Sequence, residues 1–317
     1  MPALISRSPR KVLLIRAGAL GDLLLLRRAI ASLRAAGASV SLLAPAAREV
    51  LRAEVQGLYD WEDRAIASLA SGEVPKGQLA DRLCTYDAAI AYTANEALVA
   101  ALRRIIPVVQ AQSPIALEPN THASVTLARP ALALGGRPDV NPPVLVSRAE
   151  DRTVADDWAQ RLGGGGAFLA LHPGSGSARK NWPAERFAEL AERLAAGRKV
   201  LVVEGPADEA AAAPLRRLEG AVVARCLPLG TLGALLARAF LYVGNDSGVS
   251  HLAAAGGAPT LALFGPTEAA VWSPVGALVR VIEAPEGELD RLDAATVAAA
   301  AHDALRSWSA PPALPSG

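Results

Sequence analysis

The chain has 317 residues, of which 51% are hydrophobic and 20% are charged, a balance typical of globular proteins. Its 32 basic and 31 acidic residues give a net charge of +1, which argues against nucleic acid as a partner. Two cysteines, Cys84 and Cys226, are too few for a disulfide framework. No apolar stretch approaches the roughly 20 residues that span a bilayer. A cytoplasmic protein is therefore expected, and association with the cytoplasmic face of a membrane stays open.

Short apolar runs alternate along the chain with stretches rich in Ala, Leu and Arg. In the first half they predict strands at residues 12–16, 39–44, 88–92 and 106–110, and a helix at 23–36. In the second half they predict strands at residues 168–172, 199–204, 221–225, 241–244, 260–264 and 279–283. Predicted helices occupy residues 149–162, 184–196 and 231–239. This alternation indicates βαβ units and parallel sheets.

The segment at residues 135–146 is rich in Pro and Gly and predicts a linker. We therefore expect two doubly wound, Rossmann-like domains, residues 1–145 and 146–317, that face a cleft. Ligands of such sheets bind beyond the carboxyl ends of the strands. The last helix is a candidate to pack back on the N-terminal domain, and the tail at residues 310–317 is expected to be disordered.

The first unusual loop follows the strand at residues 12–16 and reads AGALGD. Gly18 and Gly21 allow a tight turn and close approach of a substrate. Asp22 stands at the start of a helix, where it either caps the helix or serves as a base near an acceptor hydroxyl. The dinucleotide fingerprint GxGxxG is absent here, which argues against a nicotinamide-dependent dehydrogenase.

The second loop, HPGSGSARKNW, follows the strand that ends at His172. Ser175 and Gly176 can present backbone N–H groups to phosphate oxygens, and Lys180 supplies a positive charge close by. The spacing is not that of a P-loop, in which the lysine directly follows a glycine. The alternative is a polar loop with solvated cations.

The third loop, GNDSGVSHLAAA, joins a strand to an Ala-rich helix. Asp246 and Ser247 can both cap this helix, whose N-terminus at Gly248 suits a pyrophosphate. His251 lies one turn into the helix and is either packed there or directed at the same site. After the strand at residues 199–204, the acids Asp208 and Glu209 are placed either to hold a ribose diol or to complement a helix dipole.

Together the segments VLLIRAGALGD, LHPGSGSARKNWPAERFAELAERL and YVGNDSGVSHLAAAGGAPTLALFGPTEAAVW resemble glycosyltransferase family 9. This is the family of the ADP-heptose:lipopolysaccharide heptosyltransferases. The resemblance implies a GT-B fold, in which the N-terminal half binds the acceptor and the C-terminal half binds an ADP-sugar. It also implies inversion at the anomeric carbon without a metal or a cofactor, and the sequence contains no DxD tripeptide.

The resemblance assigns roles to individual residues. Asp22 matches the proposed general base, on a loop whose glycines Gly18 and Gly21 lie on the acceptor side. Lys180 matches the pyrophosphate lysine that stabilises the leaving ADP. The remaining residues that match the nucleotide-sugar site are Ser175, Gly176, Glu209 (ribose), Leu229 and Gly230 (adenine), Asp246, Ser247, Gly248 and His251.

The expected function is therefore transfer of a sugar, with heptose as the first candidate, from an ADP-sugar to a lipopolysaccharide core or another glycan or glycolipid. Such an acceptor could be presented at the inner membrane surface. Basic residues in the N-terminal half are interleaved with acids, so the sequence does not identify the acceptor. Two alternatives stay open: another nucleotide-sugar donor, and a non-catalytic protein that binds sugar nucleotides.

Overall fold

A computed structural model describes residues 9–114, 118, 120–164 and 168–309 of the chain. The chain divides into two compact units, residues 1–145 and 146–317, and each contains one parallel sheet. The tail at residues 310–317, for which disorder was predicted, lies outside the described residues. Across the described residues, the helices are too short or too polar to cross a membrane.

The first unit is built on a five-stranded parallel sheet in the order β3-β2-β1-β4-β5. Its strands are β1 (Lys11–Arg16), β2 (Ser39–Ala44), β3 (Gly57–Asp60), β4 (Ala88–Tyr92) and β5 (Val108–Gln112). Its helices are α1 (Leu20–Leu25), α2 (Arg27–Ala35), α3 (Arg64–Ala70), α4 (Gln78–Leu83), α5 (Glu96–Arg103) and α6 (Ala123–Ala133).

The second unit is built on a six-stranded parallel sheet in the order β11-β10-β9-β6-β7-β8. Its strands are β6 (Phe168–His172), β7 (Lys199–Glu204), β8 (Ala221–Arg225), β9 (Leu241–Asn245), β10 (Thr260–Phe264) and β11 (Val279–Glu283). Its helices are α7 (Ala149–Arg161), α8 (Ala184–Ala195), α9 (Glu209–Ala212), α10 (Leu229–Leu236), α11 (Gly248–Ala255), α12 (Ala269–Trp272) and α13 (Ala294–Ser309). This strand order is the one of dinucleotide-binding Rossmann folds.

The predicted α/β class with two parallel sheets is confirmed, but three local predictions are wrong. The strand β3 was not predicted, because it is an edge strand whose residues are only partly buried and so form no apolar run. The helix expected at residues 23–36 begins at Leu20 and is interrupted at Leu26. The strand expected at residues 106–110 lies two residues further along, as β5.

One buried cluster of the second unit lies on one face of its sheet. Alternate strand residues such as Leu169, Val202 and Leu263 belong to one buried cluster with Phe187 of α8 and Val297 of α13. Helix α8 places its apolar residues on this side, as expected for an amphipathic helix over a sheet. Helix α13 packs against α8 and β11.

A buried ion pair of the first unit also contacts the linker near its end, at Pro143. Arg27 at the beginning of α2 donates from Nε to Glu54 Oε1 at 2.8 Å, and both side chains are buried. The same guanidinium group also donates to the carbonyl oxygen of Pro143. Removal of one member of such a pair leaves an uncompensated buried charge, which is costly.

We expect Glu54→Ala to destabilise the first unit by about 3–5 kcal/mol, because Arg27 would remain buried without its counter-ion. The exposed pair of Arg52 with Glu49 provides a matched control, and Glu49→Ala should cost no more than about 1 kcal/mol. Urea unfolding followed by hydrogen exchange of the α2 amides measures both effects. Equal losses in the two variants would contradict the prediction.

Candidate functional site

The strand order of the second sheet reverses between the neighbouring strands β6 and β9. After β6 the chain continues to β7 and β8 on one side, and after β9 it continues to β10 and β11 on the other. Ligands of open α/β sheets bind at the carboxyl ends of the strands at such a point. The loop at residues 173–183 follows β6, and residues 246–247 follow β9. The two predicted phosphate loops of the sequence therefore lie side by side.

The amide of Asn245, the last residue of β9, joins these two loops. Its side chain is 0% exposed and donates from Nδ2 to the carbonyl oxygen of Pro173 at 2.8 Å. Its Oδ1 accepts the backbone N–H of Trp182 at 3.0 Å. Trp182 is itself buried and donates from its indole to the carbonyl oxygen of Leu292 at 2.8 Å. Both ends of the loop after β6 are thereby fixed to the end of β9.

Lys180 pairs with Asp246 at this junction. Lys180 ends a short 3-10 helix, Ala178–Lys180, and its Nζ lies 2.8 Å from Asp246 Oδ2. Thr267, from the loop after β10, donates from Oγ1 to the same oxygen at 2.8 Å. The Lys180 side chain is 32% exposed, so a ligand can reach it. The prediction that Asp246 caps α11 is wrong, because its carboxylate is turned toward Lys180 and Thr267.

Ser247 caps α11. It has an extended backbone, and its Oγ accepts the N–H of Ser250 at 3.4 Å. Ser250 in turn donates to the carbonyl oxygen of Asn245 at 2.5 Å. Ser247 and Gly248 are partly exposed, so the start of the helix faces solvent. His251 is buried one turn later in α11.

His172 and Asp208 form a buried pair beside Ser247. His172 Nε2 lies 3.0 Å from Asp208 Oδ2, and His172 Nδ1 lies 3.2 Å from Ser247 Oγ. Asp208 Oδ2 also accepts the N–H of Gly205 at 2.7 Å. The hydrogen bond from His172 holds the pKa of Asp208 below its ordinary value, although burial opposes this shift. The carboxylate of Asp208 thus accepts hydrogen bonds from His172 and Gly205 inside the protein.

The remaining predicted residues of the nucleotide site lie in the segments that follow β6, β7 and β8. Glu209 is the exposed first residue of α9, and Leu229 and Gly230 begin α10 and are partly exposed. A Cβ atom at Gly230 would lie 2.4 Å from Asp151 Oδ2, so the absence of a side chain lets α7 approach α10. In the loop after β6, Ser175 Oγ accepts the N–H of Ser177 at 3.2 Å, and Gly176 faces open space.

In the first unit, Asp22 is the third residue of α1 and not the residue before it. Its Oδ2 accepts the N–H of Ala19 at 3.0 Å, and its Oδ1 accepts from Arg16 Nη2 at 2.5 Å. Arg16 is 3% exposed, whereas the Asp22 side chain is 30% exposed. A Cβ atom at Gly18 would lie 2.8 Å from Asp22 Oδ2, so this loop requires a residue without a side chain. Gly21 follows Leu20 as the second residue of α1.

Among the described residues, no cluster of three or more His, Cys, Asp and Glu has an arrangement that could hold a metal ion. The charged groups of the second unit's site are instead paired with one another, Lys180 with Asp246 and His172 with Asp208.

Comparison with known proteins identifies the family of the chain. Residues 84–302 match the sequence profile of glycosyltransferase family 9 (heptosyltransferase). The chain belongs to glycosyltransferase family 9. The matched residues include Lys180, Asp246 and Ser247, while Asp22 precedes them.

Individual relatives agree with this membership. Lipopolysaccharide heptosyltransferase 1 of Pseudomonas aeruginosa is 40% identical over 106 residues, which cover 32% of this chain and 30% of that protein. The chain spans about a third of the length of the curated relatives it matches.

Two solved structures share the fold along nearly the whole chain. A family 9 glycosyl transferase of Veillonella parvula has a TM-score of 0.81 at 22% identity, covering 94% of this chain and 98% of that one. The Escherichia coli heptosyltransferase WaaC with ADP has a TM-score of 0.70 at 20% identity, covering 93% and 99%.

Four residues that contact the candidate residues within their own units were missed by sequence reasoning or given a different role. Asn245, Thr267 and Arg16 were not singled out, and Asp208 was considered as a ribose ligand or as a complement to a helix dipole. Asn245 and Arg16 do carry a signal, since each is a polar residue that ends an otherwise apolar, buried strand. The role of Thr267 depends on contact with Asp246, 21 residues away, which a local pattern does not contain.

The loop after β6 offers a matched pair of glycines. A Cβ atom at Gly174 would lie 1.9 Å from Asp208 Oδ1, whereas one at Gly176 would have no atom within 4 Å. We expect Gly174→Ala to destabilise the second unit by about 1–3 kcal/mol or more, as overpacked cores do. Gly176→Ala should leave stability unchanged. Thermal unfolding of both variants checks this, and equal melting temperatures would contradict it.

The Asp208 carboxylate should also make the second unit acid-sensitive. Because its pKa is lower in the folded protein than in the unfolded chain, its stabilising effect is complete above about pH 4. That effect is lost as the pH falls through the folded value. We expect Asp208→Asn to reduce stability at pH 7 and to flatten its decline between pH 5 and 2. Urea unfolding at a series of pH values measures this, and an unchanged decline would contradict it.

Proposed function

We propose that this family 9 member transfers a sugar, with heptose as the first candidate, from an ADP-sugar to an acceptor hydroxyl. The acceptor is a lipopolysaccharide core or another glycan or glycolipid, presented at the cytoplasmic face of the inner membrane. Transfer inverts the anomeric carbon by direct displacement and requires no metal ion. The observation that carries the proposal is the grouping of Lys180, Asp246 and Ser247 at the β6–β9 junction of a family 9 chain.

The donor assignment is supported by the chemistry of that junction. Lys180 provides a reachable ammonium group, and the start of α11 provides backbone N–H groups and the positive end of a helix dipole. Both favour a diphosphate. The Escherichia coli heptosyltransferase WaaC has been solved with ADP and with ADP-2-deoxy-2-fluoro heptose, which favours an ADP-sugar here.

The same groups would lower the barrier for transfer. As the bond between the sugar and the diphosphate breaks, negative charge grows on the departing ADP. Lys180 and the α11 N-terminus are held in place before the reaction, so they can stabilise this charge without reorganisation. For Lys180 to reach the diphosphate, its ammonium group must share or leave Asp246, which Thr267 also holds.

Asp22 is proposed to accept the proton of the attacking hydroxyl. Its carboxylate is partly exposed, and its position is fixed by the N–H of Ala19 and by Arg16. The guanidinium group of Arg16 compensates the negative charge of the carboxylate. These two hydrogen bonds leave a second lone pair on each carboxylate oxygen, so Asp22 can hold the start of α1 and still accept a proton.

Two other functions are distinguished by measurement. A family 9 enzyme with another donor would bind UDP or GDP in preference to ADP in calorimetry. A non-catalytic protein would bind the nucleotide but show neither transfer nor hydrolysis across a broad acceptor panel.

The proposal predicts separate effects for two variants. Asp22→Asn keeps an oxygen for the N–H of Ala19 but removes the base, so the turnover number should fall about 10²–10⁴-fold while ADP affinity is retained. Lys180→Met should lower the turnover number about 10²–10³-fold and weaken ADP binding. Turnover with a panel of ADP-, UDP- and GDP-sugars, together with calorimetry of the nucleotides, measures these changes.

Lys199→Met is the matched control, because Lys199 is exposed at the start of β7, the strand end opposite the site. It should retain full turnover and full ADP affinity. Full turnover of Asp22→Asn would remove Asp22 from its role as base. Unchanged ADP affinity of Lys180→Met would remove Lys180 from the diphosphate site.

A further inference from the structure

Three side chains form a continuous hydrogen-bonded series at the ends of β6 and β9. Asp208 Oδ2 lies 3.0 Å from His172 Nε2, and His172 Nδ1 lies 3.2 Å from Ser247 Oγ. Asp208 and His172 are buried, His172 to 3% exposure, while Ser247 is partly exposed. The series therefore connects a buried carboxylate to the hydroxyl group that begins α11.

Asp208 fixes the proton on one nitrogen of His172. Its Oδ2 accepts the backbone N–H of Gly205 as well as the bond from His172. A carboxylate is only an acceptor, so His172 Nε2 must carry a hydrogen. Nδ1, which faces Ser247, is then left as the nitrogen whose protonation can change.

The protonation of Nδ1 determines whether the Ser247 hydroxyl group can donate a hydrogen bond to a ligand. If His172 is neutral, Nδ1 is an acceptor and takes the hydroxyl proton of Ser247. If His172 is charged, Nδ1 becomes a donor to Ser247 Oγ, and the hydroxyl proton is free to point elsewhere.

The neighbours of Ser247 leave few other places for that proton. The N–H of Ser250 donates to Ser247 Oγ, so it occupies one lone pair of that oxygen and cannot accept the hydroxyl proton. Ser250 Oγ lies 3.4 Å from Ser247 Oγ, at the long limit of a hydrogen bond, and its own proton goes to the carbonyl oxygen of Asn245. Neutral His172 is thus the best internal acceptor, and a phosphate oxygen is the natural external one.

We propose that His172 is a positioning residue that sets the direction of the Ser247 hydroxyl proton, so that diphosphate binding at α11 takes up a proton at His172. This inference rests on the proposed nucleotide site. A charged His172 both frees the hydroxyl donor and adds positive charge behind it, and each change favours a phosphate group. Affinity for the diphosphate should therefore fall as the pH rises through the range in which His172 titrates.

Other ionisable groups lie around this series. Tyr242 of β9 hydrogen-bonds with Ser250 and with Ser247, so its hydroxyl is a second neighbour of the Ser247 proton beside His172. Burial raises the pKa of Tyr242, so it stays neutral at physiological pH and does not itself take up a proton. Lys180 and Asp246 form their own ion pair. His251 in α11 is a second imidazole, so the experiment has to separate it from His172.

The test counts protons taken up when ADP binds, by calorimetry in buffers of different ionisation enthalpy between pH 6 and 8. The terminal phosphate of ADP also titrates there, so the difference between the wild type and a His172 variant is the quantity of interest. His172→Asn keeps an amide near the Nδ1 position but cannot titrate. We expect the wild type to take up more protons than His172→Asn, by a difference that approaches about one at its maximum. The wild-type affinity should change by up to about tenfold per pH unit, and the affinity of the variant should change less.

His302→Gln and His251→Asn are the controls. His302 is exposed on α13, so its variant should match the wild type in affinity and in proton uptake. His251→Asn should keep the proton uptake even if its affinity changes. Ser247→Ala should bind ADP roughly tenfold more weakly and lose most of the pH dependence.

The outcomes are distinguishable. If ADP does not bind, the proposed nucleotide site fails, and this inference fails with it. If ADP binds with the same proton uptake in the wild type and in His172→Asn, or if the uptake disappears only in His251→Asn, the inference alone is wrong. Nitrogen-15 chemical shifts of the imidazoles give an independent measurement on the unaltered protein. Addition of ADP should move His172 Nδ1 from an unprotonated to a protonated shift, and an unchanged Nδ1 would overturn the inference.

Discussion

The arrangement of the second unit's site depends on the buried amide of Asn245. It has a donor and an acceptor, and it uses both on backbone groups of the loop after β6, at Pro173 and at Trp182. An unpaired polar group at such a position would cost about 1–3 kcal/mol, so the loop and the strand end are fixed together. Asp246 and Ser247 directly follow this residue. Their positions relative to Lys180, inside the fixed loop, are therefore set by one side chain.

Around this amide, Lys180 and His172 each have a partner from a different strand end. Lys180 follows β6 and pairs with Asp246 after β9, and His172 at the end of β6 pairs with Asp208 after β7. Thr267 adds a contact from the end of β10. Such pairing keeps the side chains in position at little electrostatic cost, which is the preorganisation that an anion site requires. A diphosphate would compete with Asp246 for Lys180, so the carboxylate limits how tightly the product is held.

The sequence predicts the frame of this fold well because buried parallel strands consist of uninterrupted apolar residues. It identifies every strand of the second sheet, and it misses β3, an edge strand with partly exposed residues. The candidate residues of the second unit lie on loops and helix starts that follow its strands. The resemblance does not provide their partners, because the pairs of this site join residues 21 to 75 positions apart. The prediction for Asp246 failed for this reason, since local capping chemistry was outweighed by Lys180 and Thr267.

The carboxylates of the candidate site residues differ in exposure, and the difference bears on Asp22. In the second unit, Asp208 and Asp246 accept hydrogen bonds from groups inside the same site and are nearly buried. In the first unit, Asp22 stays partly exposed, while the buried Arg16 behind it has two nitrogens, Nε and Nη1, without a hydrogen-bond partner in the described part of the chain. Unpaired buried donors are costly and persist where they serve a purpose. The single pair with Arg16 holds Asp22 on its buried side, and in the proposed reaction the exposed part of the carboxylate would meet the acceptor hydroxyl.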